Sequence, residues 1–590
     1  MQLSRWKNSD FLYASSLYGL LAFCFFGCRP KPVEVVEDPP SPTASVRLFV
    51  DVSDEVGLRF EHQVGDFSQY EMPAIMGGGG ACVDYDLDGV TDYYLPNGMR
   101  QLPKAGEDIS ISDVLFRGRV GAPLQDVTPH PNILLEEFGM GAWWGDFDVD
   151  GFPDVYLSNV GTNRLFRNLG DGTFEEVPLP PTSAAWSTAC SWTDINHDGL
   201  LDLFVANYVD YIPGQYCEGA DGKREFCGPS AYPGMVDRLL VNTGGESDEG
   251  LSFTDETVHL GFGDMVGKGL GTITRDFNRD GLVDIYVAND MEANRLWIQQ
   301  RDGTFRDEAL LLGVAHNFLG ETEASMGVVA HDWNDDSIPD LLVAHLAGET
   351  NTFYLSEADS GVWSDATAAS QMGPYSLPNT GFGVALFDVE LDGDLDFLIA
   401  NGSVKRLDGR PVVGNPRDAY AQQSSLFLKE GSSLTFSDES SNGGDFTTSP
   451  MVGRALATTD FDFDGDLDVV VVDCGKNARL MRNEAKHAGN WYSVRLVDPT
   501  GSRQGTGASV ALVDNGGKQF VRDMNPYQGY LSQNEGRIHF GLGSEFKPRE
   551  MRVTWADGTQ ESFVVDTVST RVVVVRGQGI RSEPVFGGHQ

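Results

Sequence analysis

Seven short segments of this sequence put an oxygen-bearing side chain at their first, third and fifth residues and an aspartate at the ninth: DYDLDGVTD, DFDVDGFPD, DINHDGLLD, DFNRDGLVD, DWNDDSIPD, DVELDGDLD and DFDFDGDLD. Numbered as loops 1 to 7, they offer at positions 1, 3, 5 and 9 the residues Asp84, Asp86, Asp88 and Asp92; Asp146, Asp148, Asp150 and Asp154; Asp194, Asn196, Asp198 and Asp202; Asp276, Asn278, Asp280 and Asp284; Asp332, Asn334, Asp336 and Asp340; Asp388, Glu390, Asp392 and Asp396; and Asp460, Asp462, Asp464 and Asp468. Calcium is a hard cation that takes six to eight oxygens at about 2.3 to 2.6 Å, and alternate carboxylates on a tight turn can all address one centre. Glycine at position 6 lets the chain turn sharply enough to bring position 9 back to that centre. Loop 5 alone departs, with Ser337 there. Crowding so many acids without a cation would cost repulsion at every turn. The spacing therefore predicts up to seven Ca2+ ions with a mainly structural role.

An EF-hand starts similarly but ends on an acid at position 12 between two helices. Here the flanks are short apolar runs rich in Val, Ile, Phe and Tyr, such as GACVDYD before TDYYLPN and GVALFDV before LDFLIAN, which read as strands. A third run follows most hairpins (NRLFRN, DRLLVN, NRLWIQ, NTFYLS, SSLFLK, ARLMRN), then a fourth (DGTFEEV, LSFTDET, DGTFRDE, GVWSDAT, LTFSDES). Four antiparallel strands repeated seven times predict an all-β, seven-bladed β-propeller whose calcium loops join the first two strands of each blade. Small residues open each first strand, as the crowded centre of a ring requires. The seventh unit lacks an outer strand, and residues 47–58 (RLFVDVSDEVGL) match that pattern, so they are expected to close the ring.

These patterns, with MGVVAHDW and GAWWGDFDVDGFPDVYLSN, resemble the FG-GAP or VCBS repeats of integrin α-chain propellers. The tail, with WYSVRLV, GSRQGTGASVAL, QGYLSQNEGRIHFGLG and VTWADGT, resembles the ASPIC/UnbV domain. Together they resemble the cartilage acidic protein 1 family and its bacterial relatives. That resemblance implies a secreted or surface calcium-binding propeller linked with matrix or adhesion, and no established reaction. The implied order is a propeller over 47–486, a small β-domain over 487–578 and a tail over 579–590.

Acids outnumber bases 87 to 42, a net charge of −45, which argues against nucleic acid or anionic lipid as partner. Residues 1–28 read as a signal segment whose Gly27-Cys28 resembles a lipobox, which would make Cys28 a lipidated terminus and that anchor the only membrane contact. Residues 29–46 read as a proline-rich acidic tether. The expected location is outside the cytoplasm: cell surface, periplasm or outer membrane, or secreted. Cys217 and Cys227 bracket an insertion loop and form a candidate disulfide, whereas Cys82, Cys190 and Cys474 lie in apolar strand patterns and read as buried. HExxH, GxSxG and Walker patterns are absent. The MGGGGAC run at 76 is better explained by crowding at an inner strand than by phosphate binding. Two excursions, Tyr208 to Met235 and residues 98–132, are the candidate contact surfaces for a protein or polysaccharide. The alternative is a lyase, hydrolase or cyclase with its active site in the propeller mouth.

Overall fold

The computed structural model describes residues 47–583, apart from 99–112, 129–132, 134–136, 182–183, 245–250, 264, 359, 408–414, 430, 432, 487–488 and 502–503. The expected leader, Cys28 and the tether lie outside these residues.

Each acidic loop joins the two innermost strands of a four-stranded antiparallel unit, and the described residues form seven such units. The innermost strands are Gly80–Val83, Phe138–Gly145, Ala184–Thr193, Gly269–Arg275, Val328–His331, Gly381–Phe387 and Gly453–Thr459. Every second strand begins on the position 9 aspartate, as in Asp202–Asn207 and Asp396–Asn401, and is buried along its apolar run. Burial on both faces explains why these strands read as unbroken Val, Ile, Leu and Phe. In the last unit the fourth strand comes from the other end of the chain: Phe49–Asp51 pairs antiparallel with Arg479–Asn483, Phe49 opposite Asn483. Neighbouring inner strands touch all the way round, and Gly453–Thr459 meets Gly80–Val83, so the ring is closed. The fold is a β-propeller.

Glycine sets the spacing at its centre. A Cβ on Gly327 would lie 2.1 Å from the Phe382 carbonyl oxygen, and one on Gly383 would lie 2.3 Å from that of Arg454. A side chain at either position would hold the next unit off. The MGGGGAC run obeys the same rule, since a Cβ on Gly79 would sit 2.1 Å from the Met140 oxygen.

One expectation needs correction. Residues 98–132 are not simply an excursion, because Val114–Arg117 and Gln125–Asp126 are the third and fourth strands of the first unit. The repeat was hidden there because VLFR lacks the Arg-Leu pair that marks four of the other third strands.

The C-terminal part forms two four-stranded sheets, built on Asn490–Val497 and Ser509–Asp514, around a core that includes Tyr492, Leu512, Phe540, Met551 and Val574. It lies on the face of the ring that carries the acidic loops: Trp491 fills the space a Cβ on Gly465 would need, and Phe520 does so at Gly393. From there the stretch between Met524 and Glu535 enters the middle of the ring. Ser532–Gln533 pairs in parallel with Gly80–Val83, and Leu456 N–H donates to Ser532 Oγ at 3.0 Å. Tyr530 is fully buried, its ring 4.8 Å from that of Phe382, and its hydroxyl donates to the Met76 carbonyl at 2.8 Å. Among the described residues no helix is long and apolar enough to cross a membrane.

Candidate metal centres

All seven loops share one backbone solution. Position 4 is left-handed in every case, with φ between 56° and 64° at Leu87, Val149, His197, Arg279, Asp335, Leu391 and Phe463. Only glycine adopts this conformation freely, so a repeated non-glycine here marks a turn imposed by its surroundings. Position 6 follows at positive φ, including Ser337 at 69°. Its N–H donates to the position 1 carboxylate over 2.7–3.5 Å in all seven loops. The serine of loop 5 therefore keeps the turn that glycine makes elsewhere.

The position 9 aspartates are almost wholly buried and clip two strands together. One oxygen accepts the N–H of position 2 at 2.8–3.2 Å. The other accepts an N–H at or just past the end of the third strand at 2.7–2.9 Å, from Gly118, Asn168, Asn242, Gln299, Ser356, Lys429 and Asn483 in turn. Four of those residues reach further: the side chains of Asn168, Asn242, Gln299 and Asn483 donate to the position 2 carbonyls of Tyr85, Phe147, Ile195 and Val389 in the preceding unit. Each loop thus ties its own strands and, in these four cases, its neighbour.

Carboxylate oxygens converge most closely in loops 1, 2 and 7, where Asp84, Asp86 and Asp92, Asp146, Asp148 and Asp154, and Asp460, Asp462 and Asp464 come within 4.8 Å of one another. In loops 3 to 5 an asparagine replaces the second acid and its amide donates to position 5 at 2.9–3.2 Å (Asn196 to Asp198, Asn278 to Asp280, Asn334 to Asp336). Burial is the main force on the titration of these groups, pushing Asp84, Asp202, Asp284 and Asp388 up to about 7 and Asp92, Asp154 and Asp468 well above the carboxylate range. A divalent cation would reverse that shift. Asp84 Oδ1 is buried and accepts no hydrogen bond. An orphaned oxygen beside two carboxylates fits a hard cation.

Arginines absent from the ligand pattern complete two centres. Arg117 lies 2.6 Å from Asp86 and 2.9 Å from Asp88, and Arg167 pairs with Asp148 and, at 3.1 Å, Asp150. Both immediately precede the third-strand residue that clips position 9. Arg482 holds the same place beside loop 7, whereas loops 3 to 5 have Val241, Ile298 and Leu355 there. Arginine thus appears where position 3 is Asp and is missing where it is Asn, a covariation within one sequence that could have exposed these residues.

The disulfide between Cys217 and Cys227 is formed, with Cα atoms 4.9 Å apart, and Cys82, Cys190 and Cys474 are buried thiols. His331 and His345 are buried, and burial lowers the pKa of both.

The FG-GAP-like repeat family matches residues 146–205 and 276–343, which contain loops 2 to 5, and the ASPIC and UnbV family matches residues 498–581. The chain carries FG-GAP-like repeats and an ASPIC/UnbV domain. It is similar to cartilage acidic protein 1 from Xenopus tropicalis, 24% identical over 422 residues, and from Homo sapiens, 25% identical over 428 residues. These matches cover 70% and 71% of this chain and about 60% of the relatives' length. Similar solved structures are an Agrocybe aegerita lectin that recognises non-reducing terminal N-acetylglucosamine (14% identity, TM-score 0.37, 64% of this chain and 89% of that one) and YCF48 bound to D1 peptide (8% identity, TM-score 0.39, 75% and 99%). The ASPIC/UnbV match contains the segment that enters the ring, so the domain that caps the FG-GAP repeats also fills their centre.

Proposed function

We propose that this protein is an exported propeller, calcium-loaded at its seven loops, that acts as a surface binding or adhesion module for a protein or polysaccharide. The single observation that carries this reading is the filled centre. Tyr530 and its neighbours occupy the ring where a propeller enzyme would house its substrate, which supports binding over a lyase, hydrolase or cyclase. The carboxylates that would hold calcium are tied into the strand clips, so a bound ion would neutralise them and stiffen the hairpins. Similarity to a protein named for cartilage, a matrix-rich tissue, supports a place outside the cell.

The insertion from Tyr208 to Met235 leaves the end of its unit opposite the acidic loops and the ASPIC/UnbV domain. The Cys217–Cys227 bridge pins it, and it presents Ile212 at 53% and Tyr216 at 45% exposure. These features make it the contact surface of choice. The test is an array of glycans and envelope proteins probed in calcium and in EGTA with the wild type and an Ile212→Ser/Tyr216→Ser double variant. Calcium-dependent capture lost in the variant, with an unchanged melting temperature, is the expected result. Capture that ignores both the substitutions and EGTA would remove the proposal.

A further inference from the structure

The ASPIC/UnbV domain does not press evenly on the loop face. It touches loops 6 and 7 directly but stands off loops 1 and 2, leaving a cavity of about 400 Å³. Leu87 and Phe152 line it from the propeller beside the loop carboxylates Asp84 and Asp150, and Leu496, Arg495 and Arg537 line it from the domain beside Glu535. The wall is mixed: arginines converge on it beside apolar side chains, Asp84 and Asp150 are loop carboxylates that bound calcium would neutralise, and the volume is of the order of a small-molecule site.

The two arginines already grip a carboxylate. Glu583 lies 3.2 Å from Arg495 and 2.8 Å from Arg537, one oxygen to each guanidinium. Arg495 is otherwise 3.8 Å from Asp84, and its Nε is buried with no hydrogen-bond partner. Arg495 therefore has donor capacity left, and it lines a partly apolar, half-open space. Guanidinium forks suit carboxylates because two parallel N–H groups match the two oxygens.

We propose that this cavity binds a small organic carboxylate of about monosaccharide size, with Arg495 and Arg537 as the anion clamp and Glu583 as the internal carboxylate that a ligand displaces. The site is separate from the insertion surface on the opposite face, so it stands or falls independently of the adhesion reading. Glu583 competes as a tethered group, which weakens any free carboxylate by the tether's effective concentration. Removing its charge releases both arginines to the ligand.

The probe is D-glucuronate, with D-glucose as the neutral control, titrated calorimetrically into the full-length, calcium-replete protein. Glu583→Gln should bind D-glucuronate about tenfold more tightly than the wild type, the gain expected when a charged competitor is lost. Arg495→Ala should weaken binding by about tenfold or more. Leu87→Trp, which narrows the cavity without touching either arginine, should abolish it, and melting temperatures near the wild-type value certify the folded state of each variant. The proposal is overturned by equal binding of D-glucose and D-glucuronate, by unchanged binding in Arg495→Ala, or by no heat from either the wild type or Glu583→Gln at millimolar probe.

Discussion

Arg117 lies 2.6 Å from Asp86, a cation supplied by the third strand to the middle of loop 1. The pair is partly exposed, so it contributes only about 1 kcal/mol. Its role depends on whether calcium is present, because arginine and calcium would compete for the same oxygens. Arg117→Leu should lower the melting temperature in EGTA and leave it unchanged or higher in calcium. Scanning calorimetry in the two buffers checks this, and equal losses in both would mean that Arg117 is only a packing residue.

The position 9 aspartates should matter even without calcium. Asp154 accepts N–H groups from Phe147 and Asn168 while fully buried. Asp154→Ala would orphan both donors, at about 2–5 kcal/mol. Asp148→Asn, by contrast, gives up the Arg167 pair but also relieves repulsion from Asp150, so in EGTA it should cost much less than Asp154→Ala while weakening calcium binding. Denaturant melts of the two variants in EGTA should therefore diverge; matching curves would show that position 9 does no more than position 3.

Much of this was legible because metal ligation and strand periodicity both act over a few residues. The seven nonamers, the strands that flank them and the outer strand supplied by residues 49–51 carry their signals locally. Position 4 gave none, since Leu87, Val149, His197 and Arg279 share no property and the loop, not the residue, imposes positive φ. The seat of Tyr530 in the ring was also hidden: QGYLSQNEG reads as a glycine-broken strand, and nothing in its periodicity says that its partners are Met76, Phe382 and Leu456. The clamp around Glu583 is likewise a meeting of residues 495, 537 and 583, far apart in the chain.

The face opposite the loops carries a pH dependence. Asp290 is buried, with Tyr208 Oη–H donating to it at 2.6 Å, and burial pushes its pKa up to about 7. A folded-state value above the unfolded value of about 3.9 means that the fold favours the protonated acid. That contribution is complete below about pH 4 and is lost as pH rises through about 7. Asp290→Asn keeps an acceptor for Tyr208 without the charge, so its melting temperature in calcium should fall less than that of the wild type between about pH 5 and pH 8. Parallel pH profiles would assign the dependence to other groups.

Tyr530 should decide whether the propeller and its cap unfold together. It belongs to the ASPIC/UnbV segment, yet its ring packs on Phe382 of the sixth unit and its hydroxyl is bonded to Met76 ahead of the first. Tyr530→Phe keeps the packing and loses one buried hydrogen bond, about 1 kcal/mol. Tyr530→Ala opens a cavity where the units converge and should cost about 3–5 kcal/mol. Because that loss falls on contacts between the two parts, the alanine variant should melt in two steps and release the C-terminal domain to limited proteolysis, whereas the wild type and the phenylalanine variant melt in one. A single unshifted transition in Tyr530→Ala would show that the inserted segment fills the ring without holding it to the cap.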